Sequence, residues 1–354
     1  MSDAPAAGIA ARIAAAGPLP LDAFMLLAAR AYYRRARVFG ADGDFITAPE
    51  VSQAFGELVG LWCALRWLAD GRPPRAILAE CGPGRGTLIA DALRATQGVP
   101  GFHAAIELDL IETSPTLRDA QADALKGFPA RWHDDLSGVP GGAPLYLVAN
   151  EFLDALPIRQ FVRRGATWRE RCVGRDGKAL AFVDGAEVAP PPALLTALPD
   201  AAEGEVLEHR PAADAFARDL AARLRDQGGA ALISDYGPAR TGFGDSLQAV
   251  ARHAYADPLA DPGAADITAH LDFGRLAAVA GEAGAAAFGP VSQGQWLIAM
   301  GIRERTAQLV ANATPAQAAA LLSGTARLCE ATAMGRLFKV LALAPGNATP
   351  PEGF

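Results

Sequence analysis

Cysteine is scarce in this chain and positive charge is in deficit, and both shortages exclude whole classes of protein. The 354 residues hold four cysteines, Cys63, Cys81, Cys172 and Cys329, with no CxxC pair among them. That removes zinc-type spacing, gives no metal site, and fits a reducing compartment, so the expected location is cytoplasmic. Lys plus Arg number 32 against 39 Asp plus Glu, a formal net charge of -7. Nothing is left over for generic phosphate neutralisation, and no nucleic acid partner is expected. Long apolar runs are missing as well. The best candidate, Leu19 to Tyr33, is cut by Pro20, Asp22 and Arg30, short of the roughly 18 to 20 apolar residues a membrane span needs. The opening MSDAPAAGIAARIAAAG has no basic start before a continuous apolar segment, so a secretory signal is not expected. Neither a Gly-x-Ser-x-Gly elbow nor an HExxH string occurs, which leaves hydrolase and metalloprotease readings without footing.

What is present is a composition that buries a core: 51% hydrophobic residues against 20% charged. Residues 1–70 read as a helical N-terminal cover. Within it Thr47-Ala48-Pro49-Glu50 has the form of a capping box, and Val51, Phe55, Leu58, Val59, Trp62 and Leu65 recur at helical spacing. The opposite stripe, Glu50, Gln53 and Glu57, reads as a solvated face, as does the cluster Arg30, Arg34, Arg35 and Arg37. After Gly71-Arg72-Pro73-Pro74, residues 71–354 alternate short apolar runs with helices, the pattern of an α/β parallel sheet. Seven runs stand out: Ala76 to Cys81, His103 to Ile111, Ala130 to His133, Leu145 to Ala149, Ala230 to Asp235, Ala285 to Gly289 and Phe338 to Ala344. Insertions are expected near 158–210, where Ile158 to Val183 alternates like an antiparallel hairpin, and near 292–332, which reads as helical.

The chemistry begins after the first run. Glu80-Cys81-Gly82-Pro83-Gly84-Arg85-Gly86-Thr87 puts an acid and three glycines between a strand and a helix. Glycines let the backbone turn sharply and approach a ligand, and the helix start offers unpaired N–H groups. A dinucleotide turn has its third glycine one place later. Here the spacing is GxGxG, and Glu80 repels a pyrophosphate while suiting a ligand with a cationic sulfur and an ammonium. The cofactor read from this loop is S-adenosyl-L-methionine (SAM) rather than NAD.

Glu112, at the end of the second run, is placed to accept hydrogen bonds from ribose hydroxyls. After the third run, Asp135 and Leu136 are candidates for the adenine amino group and ring, with a plain surface turn as the competing reading. The fourth run ends in Asn150-Glu151-Phe152-Leu153-Asp154-Ala155-Leu156-Pro157, polar groups at the carboxyl edge where open α/β sheets bind ligands. Glu151 is the leading catalytic candidate, since a carboxylate holds a guanidinium at two points and orients its lone pair. Asp154 is a second. His270 has the chemistry of a general base, whereas Asp272 beside it reads as a helix cap with His270 structural.

These strings resemble the MidA family of class I SAM-dependent methyltransferases. The likeness lies in Gly43 to Glu50, Phe55-Gly56-Glu57, Glu80 to Thr87, Asn150 to Pro157, Asp235-Tyr236-Gly237, Ala256 to Gly263, Asp266 to His270, and Met334-Gly335 through Leu341. It spans almost the whole chain, and the GDFITAPE and NEFLDALP strings are its most specific parts. The resemblance implies a Rossmann-like, seven-stranded methyltransferase sheet with a helical N-terminal cover, inserted hairpin and helices, and a SAM site over the glycine loop. Mitochondrial members of the family are protein arginine methyltransferases that help assemble respiratory complex I. It therefore implies a protein substrate methylated on arginine nitrogen, with a small-molecule acceptor or a non-catalytic assembly role as alternatives. One departure is Ala31-Tyr32-Tyr33, where the family tends to have a glycine between the aromatic residues.

Overall fold

A computed structural model of the chain describes residues 5–32, 47–196, 198–251 and 254–354. Gly43 to Ile46 of the first motif, Tyr33, and Arg34, Arg35 and Arg37 of the basic cluster lie outside the described residues. The described residues divide into two compact units, one from 5–32, 154–215 and 240–275, the other from 47–153, 216–239 and 276–354.

The larger unit holds a seven-stranded sheet: β1 (Ala76–Cys81), β2 (Ile106–Ile111), β3 (Ala130–His133), β4 (Leu145–Asn150), β5 (Gly229–Tyr236), β6 (Ala285–Ser292) and β7 (Phe338–Pro345). All seven expected runs are strands, with bounds moved by a few residues. At β2 the strand starts three residues late, because Phe102–Ala105 forms a helical turn ahead of it, and β6 runs three residues further than expected. The spatial order is β6-β7-β5-β4-β1-β2-β3. Strands β1 to β5 pair in parallel, and β7 runs antiparallel to both β5 and β6. Strand order reverses between β1 and β4, so the crevice for a ligand opens at their carboxyl ends.

Ala76, Leu78, Tyr146, Val148, Leu232 and Val340 share one apolar cluster with Phe55, Leu58, Val59 and Trp62 of helix Gln53–Ala69. Each large side chain so buried contributes roughly 1.5 to 3 kcal/mol. The start of that helix differs from the sequence expectation. Thr47 heads only the single turn Ala48–Val51 and makes no side-chain cap bond, while Ser52 caps the long helix by accepting the Ala54 N–H at 3.3 Å. The solvated reading of Glu57 also fails. Glu57 is 3% exposed and accepts from Arg305 at 2.7 Å and Arg94 at 3.1 Å. Gln293–Ala299, Ile302–Val310 and Pro315–Cys329 supply the helices expected near 292–332, the last with a capping box of Thr314 and Gln317.

The smaller unit contains a five-stranded antiparallel sheet. The expected hairpin is in fact three consecutive strands, Arg159–Arg164, Thr167–Asp176 and Ala179–Glu187, flanked by Leu19–Pro20 and Val206–His209. A second small sheet, Gln248–Ala251, Ala254–Ala256 and Asp266–Thr268, has no counterpart in the sequence reading. Between these elements the buried Arg210 donates Nε to the Leu156 carbonyl at 2.9 Å and Nη1 to that of His270 at 3.1 Å. Its Nη2 bonds the carbonyls of Asp154 at 3.0 Å and Ala269 at 2.8 Å. No helix among the described residues is long and apolar enough to cross a membrane.

Candidate functional site

The glycine loop leaves β1 with Gly82, Gly84 and Gly86 all at positive φ, +60°, +56° and +82°, a region that L side chains adopt only with strain. At Gly82 the lack of a side chain is needed twice over. A Cβ there would lie 2.9 Å from Cδ2 of the Phe152 ring. Gly86 precedes helix Thr87–Thr96 and offers no capping side chain. Glu80, at the end of β1, lies near enough to the backbone N–H of Ile89, in the first turn of that helix, for that N–H to pull its carboxyl down against the larger effect of burial. It is 3% exposed, its Oε2 has no hydrogen-bond partner, and burial pushes its carboxyl up to about 8. A buried carboxylate oxygen left unbonded favours a cationic or N–H-bearing group nearby.

Glu112 follows β2. Its Oε1 accepts the Ser114 N–H at 2.7 Å and its Oε2 accepts Gln121 Nε2 at 3.3 Å. Burial raises its pKa, partly offset by the Ser114 N–H. The Gln121 Nε2 also donates to the Gly84 carbonyl at 2.9 Å, and its Oε1 accepts from Trp132 Nε1 at 2.8 Å. The sequence reading missed this fully buried glutamine. A signal existed, since Gln121 stands midway between Leu117 and Leu125 on one helical stripe. Asp135 is exposed, and its Oδ1 caps the turn Leu136–Gly138 by accepting the Ser137 N–H at 2.9 Å; the Ser137 bonds lower its pKa. Leu136 is buried at 8% exposure.

At the end of β4, Asn150 lies opposite Ser234 in the register with β5. Both are buried, and Asn150 Oδ1 and Ser234 Oγ have no hydrogen-bond partner. Glu151 has φ +48°, one of two non-glycine residues in the left-handed region among the described residues. Its N–H donates to the Ser234 carbonyl at 2.9 Å. Its Oε1 accepts the Ala48 N–H at 2.9 Å and Asn150 Nδ2 at 3.3 Å. Glu50, two residues beyond Ala48, has its carboxyl raised by burial and pulled back by the charge of Arg85 in the glycine loop. Asp235 fixes the chain beyond Phe152 by accepting the Leu153 N–H at 3.1 Å. Phe152 and Asp235 received no individual role from the sequence.

Asp154 and His270 fall in the smaller unit, where Arg210 holds both backbones and Ala269 donates its N–H to the Asp154 carbonyl at 3.2 Å. Asp272 caps helix Phe273–Glu282 by accepting the Arg275 N–H at 2.8 Å, as the capping reading expects.

Residues 58–291 match the profile of a family of S-adenosyl-L-methionine-dependent methyltransferases. The mitochondrial protein arginine methyltransferase NDUFAF7 of Mus musculus is 36% identical over 94% of this chain and 83% of its own length. The Drosophila melanogaster homologue of that protein, also mitochondrial by name, is 36% identical over 95% and 84%. A crystal structure from Burkholderia thailandensis bound to S-adenosyl-homocysteine aligns with TM-score 0.82 and 29% identity, covering 99% of this chain and 94% of that one. The cytoplasmic expectation is corrected by these relatives, whose names place them in mitochondria. Scarce cysteine reports a reducing environment, which does not single out one compartment. The strained glycine loop and the unbonded oxygen of Glu80 fit the sulfonium cofactor that the family binds.

Proposed function

We propose, from the premise that this chain belongs to the S-adenosyl-L-methionine-dependent methyltransferase family, that its acceptor is an arginine side chain of a protein. The observation that carries the reading is Glu151: a carboxylate at the carboxyl edge of β4, on a backbone held at φ +48° and anchored through one oxygen to the Ala48 N–H. Strain of this kind, of order 1 to 3 kcal/mol, persists where surrounding structure over-determines a residue, as functional sites do. The curated relatives are named as protein arginine methyltransferases, which supports the same acceptor.

When bound, SAM supplies a methyl group activated by its sulfonium; the protein's task is to hold and align. The glycine loop admits the cofactor's amino-acid end close to backbone, Glu80 and the Asn150 side chain supply negative and acceptor character beside it, and Glu112 takes the ribose hydroxyls. Asp135 and Leu136 border the adenine end. Glu151 draws the guanidinium in through charge-assisted hydrogen bonds and turns one nitrogen lone pair toward the methyl carbon. Forming the nitrogen–carbon bond would break the sulfur–methyl bond, with neutral S-adenosyl-homocysteine as the leaving group, and the Glu151 carboxylate bonded to the N–H would take the proton that the methylated nitrogen sheds. Asp154 and His270 are the next groups to test in that role.

The experiment is a mass-spectrometric comparison of proteins from a deletion strain and its parent, searched for +14 and +28 shifts on arginine, with respiratory complex I subunits examined first. Shifts confined to lysine, carboxyl groups or metabolites would sink the arginine reading and leave the methyltransferase assignment standing.

A further inference from the structure

We infer that Gln121 is a positioning residue of the cofactor site, a buried amide that locks the glycine loop and the ribose-binding carboxylate into one register. This rests on the reading of Glu112 as the ribose acceptor.

The amide's orientation is fixed by its partners. Trp132 Nε1 is a donor only, so the Gln121 atom 2.8 Å from it must be the carbonyl oxygen. The two N–H groups of Nε2 then face the Gly84 carbonyl at 2.9 Å and Glu112 Oε2 at 3.3 Å. One side chain on helix Pro115–Ala124 thus ties the middle glycine of the loop after β1 to the acid after β2. The second carboxylate oxygen is held by the Ser114 N–H. Each Glu112 oxygen is therefore anchored once, and a carboxylate with about four acceptor positions retains capacity for both ribose hydroxyls.

Helix packing alone does not ask for glutamine here. Gln121 is 0% exposed and lies between Leu117 and Leu125 on the helix face turned inward. A leucine would satisfy that stripe without desolvating an amide. A buried polar group with every partner in place instead specifies geometry, and what it specifies here is the relation between Gly84 and Glu112.

The test uses the full chain and two probes, S-adenosyl-homocysteine and its 2′-deoxy analogue, titrated calorimetrically. The wild-type protein should prefer the hydroxylated ligand by about tenfold, the worth of one good hydrogen bond to a charged group, and Glu112→Ala should erase the preference. Gln121→Leu should shrink the ratio to about twofold, because Glu112 loses its anchor. A packing defect alone would weaken both ligands equally and keep the ratio. If Gln121→Leu fails to fold, Trp132→Phe removes only the N–H that orients the amide and should give a ratio between wild type and Glu112→Ala. A full wild-type ratio in the folded Gln121 or Trp132 variant, with Glu112→Ala indifferent to the hydroxyl, overturns the inference and leaves the ribose reading intact. No preference in the wild type, or one that survives Glu112→Ala, refutes the ribose reading and the inference together.

Discussion

The Glu151 carboxylate and the Ala48 backbone N–H meet at 2.9 Å across 103 residues of chain. This bond joins the end of β4 to the turn ahead of helix Gln53–Ala69. Asn150 Nδ2 donates to the same Glu151 oxygen at 3.3 Å.

Replacing Glu151 by Gln should lower kcat/KM about 10- to 100-fold, the equivalent of roughly 1.5 to 3 kcal/mol for a hydrogen bond to a charged group. Affinity for S-adenosyl-homocysteine should stay near wild type. Calorimetry alongside turnover on a methylatable peptide separates the two, and a parallel collapse of both would move Glu151 into the cofactor site.

Glu151→Gly should abolish turnover while changing unfolding free energy by less than about 1 kcal/mol. Relief of the φ +48° backbone offsets the lost bond to Ala48. Urea denaturation checks it; a loss of several kcal/mol would show that the carboxylate is mainly structural.

Gly82→Ala should weaken S-adenosyl-homocysteine binding, because the new Cβ meets the Phe152 ring at 2.9 Å and the residue must hold φ +60°. The backbone part alone costs on the order of 1 kcal/mol. Adding Phe152→Ala removes the clash, so the double variant should bind more tightly than the single one if the ring is what the methyl group displaces.

The Glu80 carboxyl, pushed up to about 8 by burial, binds a proton more readily in the folded chain than in the unfolded one. Stability therefore falls as pH rises from about 4.5 to about 8, and is flat in this respect outside that window. Glu80→Gln should remove this slope in ligand-free denaturation curves between pH 6 and 8. A slope unchanged by the substitution would mean that Glu80 is ionised throughout.

Glu57→Ala should destabilise the fold by roughly 1 to 3 kcal/mol, less than a fully buried ion pair because Arg94 and Arg305 are partly exposed and screened. Cofactor affinity should be untouched. The Arg305 and Arg94 bonds outweigh burial and hold the Glu57 carboxyl below its usual value, so this contribution is lost as pH falls below about 4.5.

The sheet was legible because buried parallel strands read as unbroken apolar runs, and β1 with its glycine loop carries both signals in one string. The positions of Glu112, Asn150 and Glu151 at the carboxyl ends of β2 and β4 were legible because each stands where an apolar run ends; their roles toward a ligand are proposals. What stayed hidden depends on distant partners. Glu57 looks like a surface acid until Arg305, 248 residues away, folds onto it. In the Thr47 box the N3 N–H, that of Glu50, goes to the Thr47 carbonyl at 2.9 Å rather than to the Thr47 hydroxyl, and the long helix starts afresh at Ser52. The strands of 248–268 are three or four residues long, too short for alternation to show.

Arg210 grips its surroundings through backbone carbonyls, those of Leu156, Asp154, Ala269 and His270. A carbonyl is the same whatever side chain its residue carries. Sequence drift at positions 156 and 269 is therefore invisible to this clasp, whereas position 210 tolerates no lysine, which lacks the planar fork that reaches four oxygens at once. Among diverging relatives, the arginine should stay put while the residues whose carbonyls it holds at positions 156 and 269 are exchanged freely.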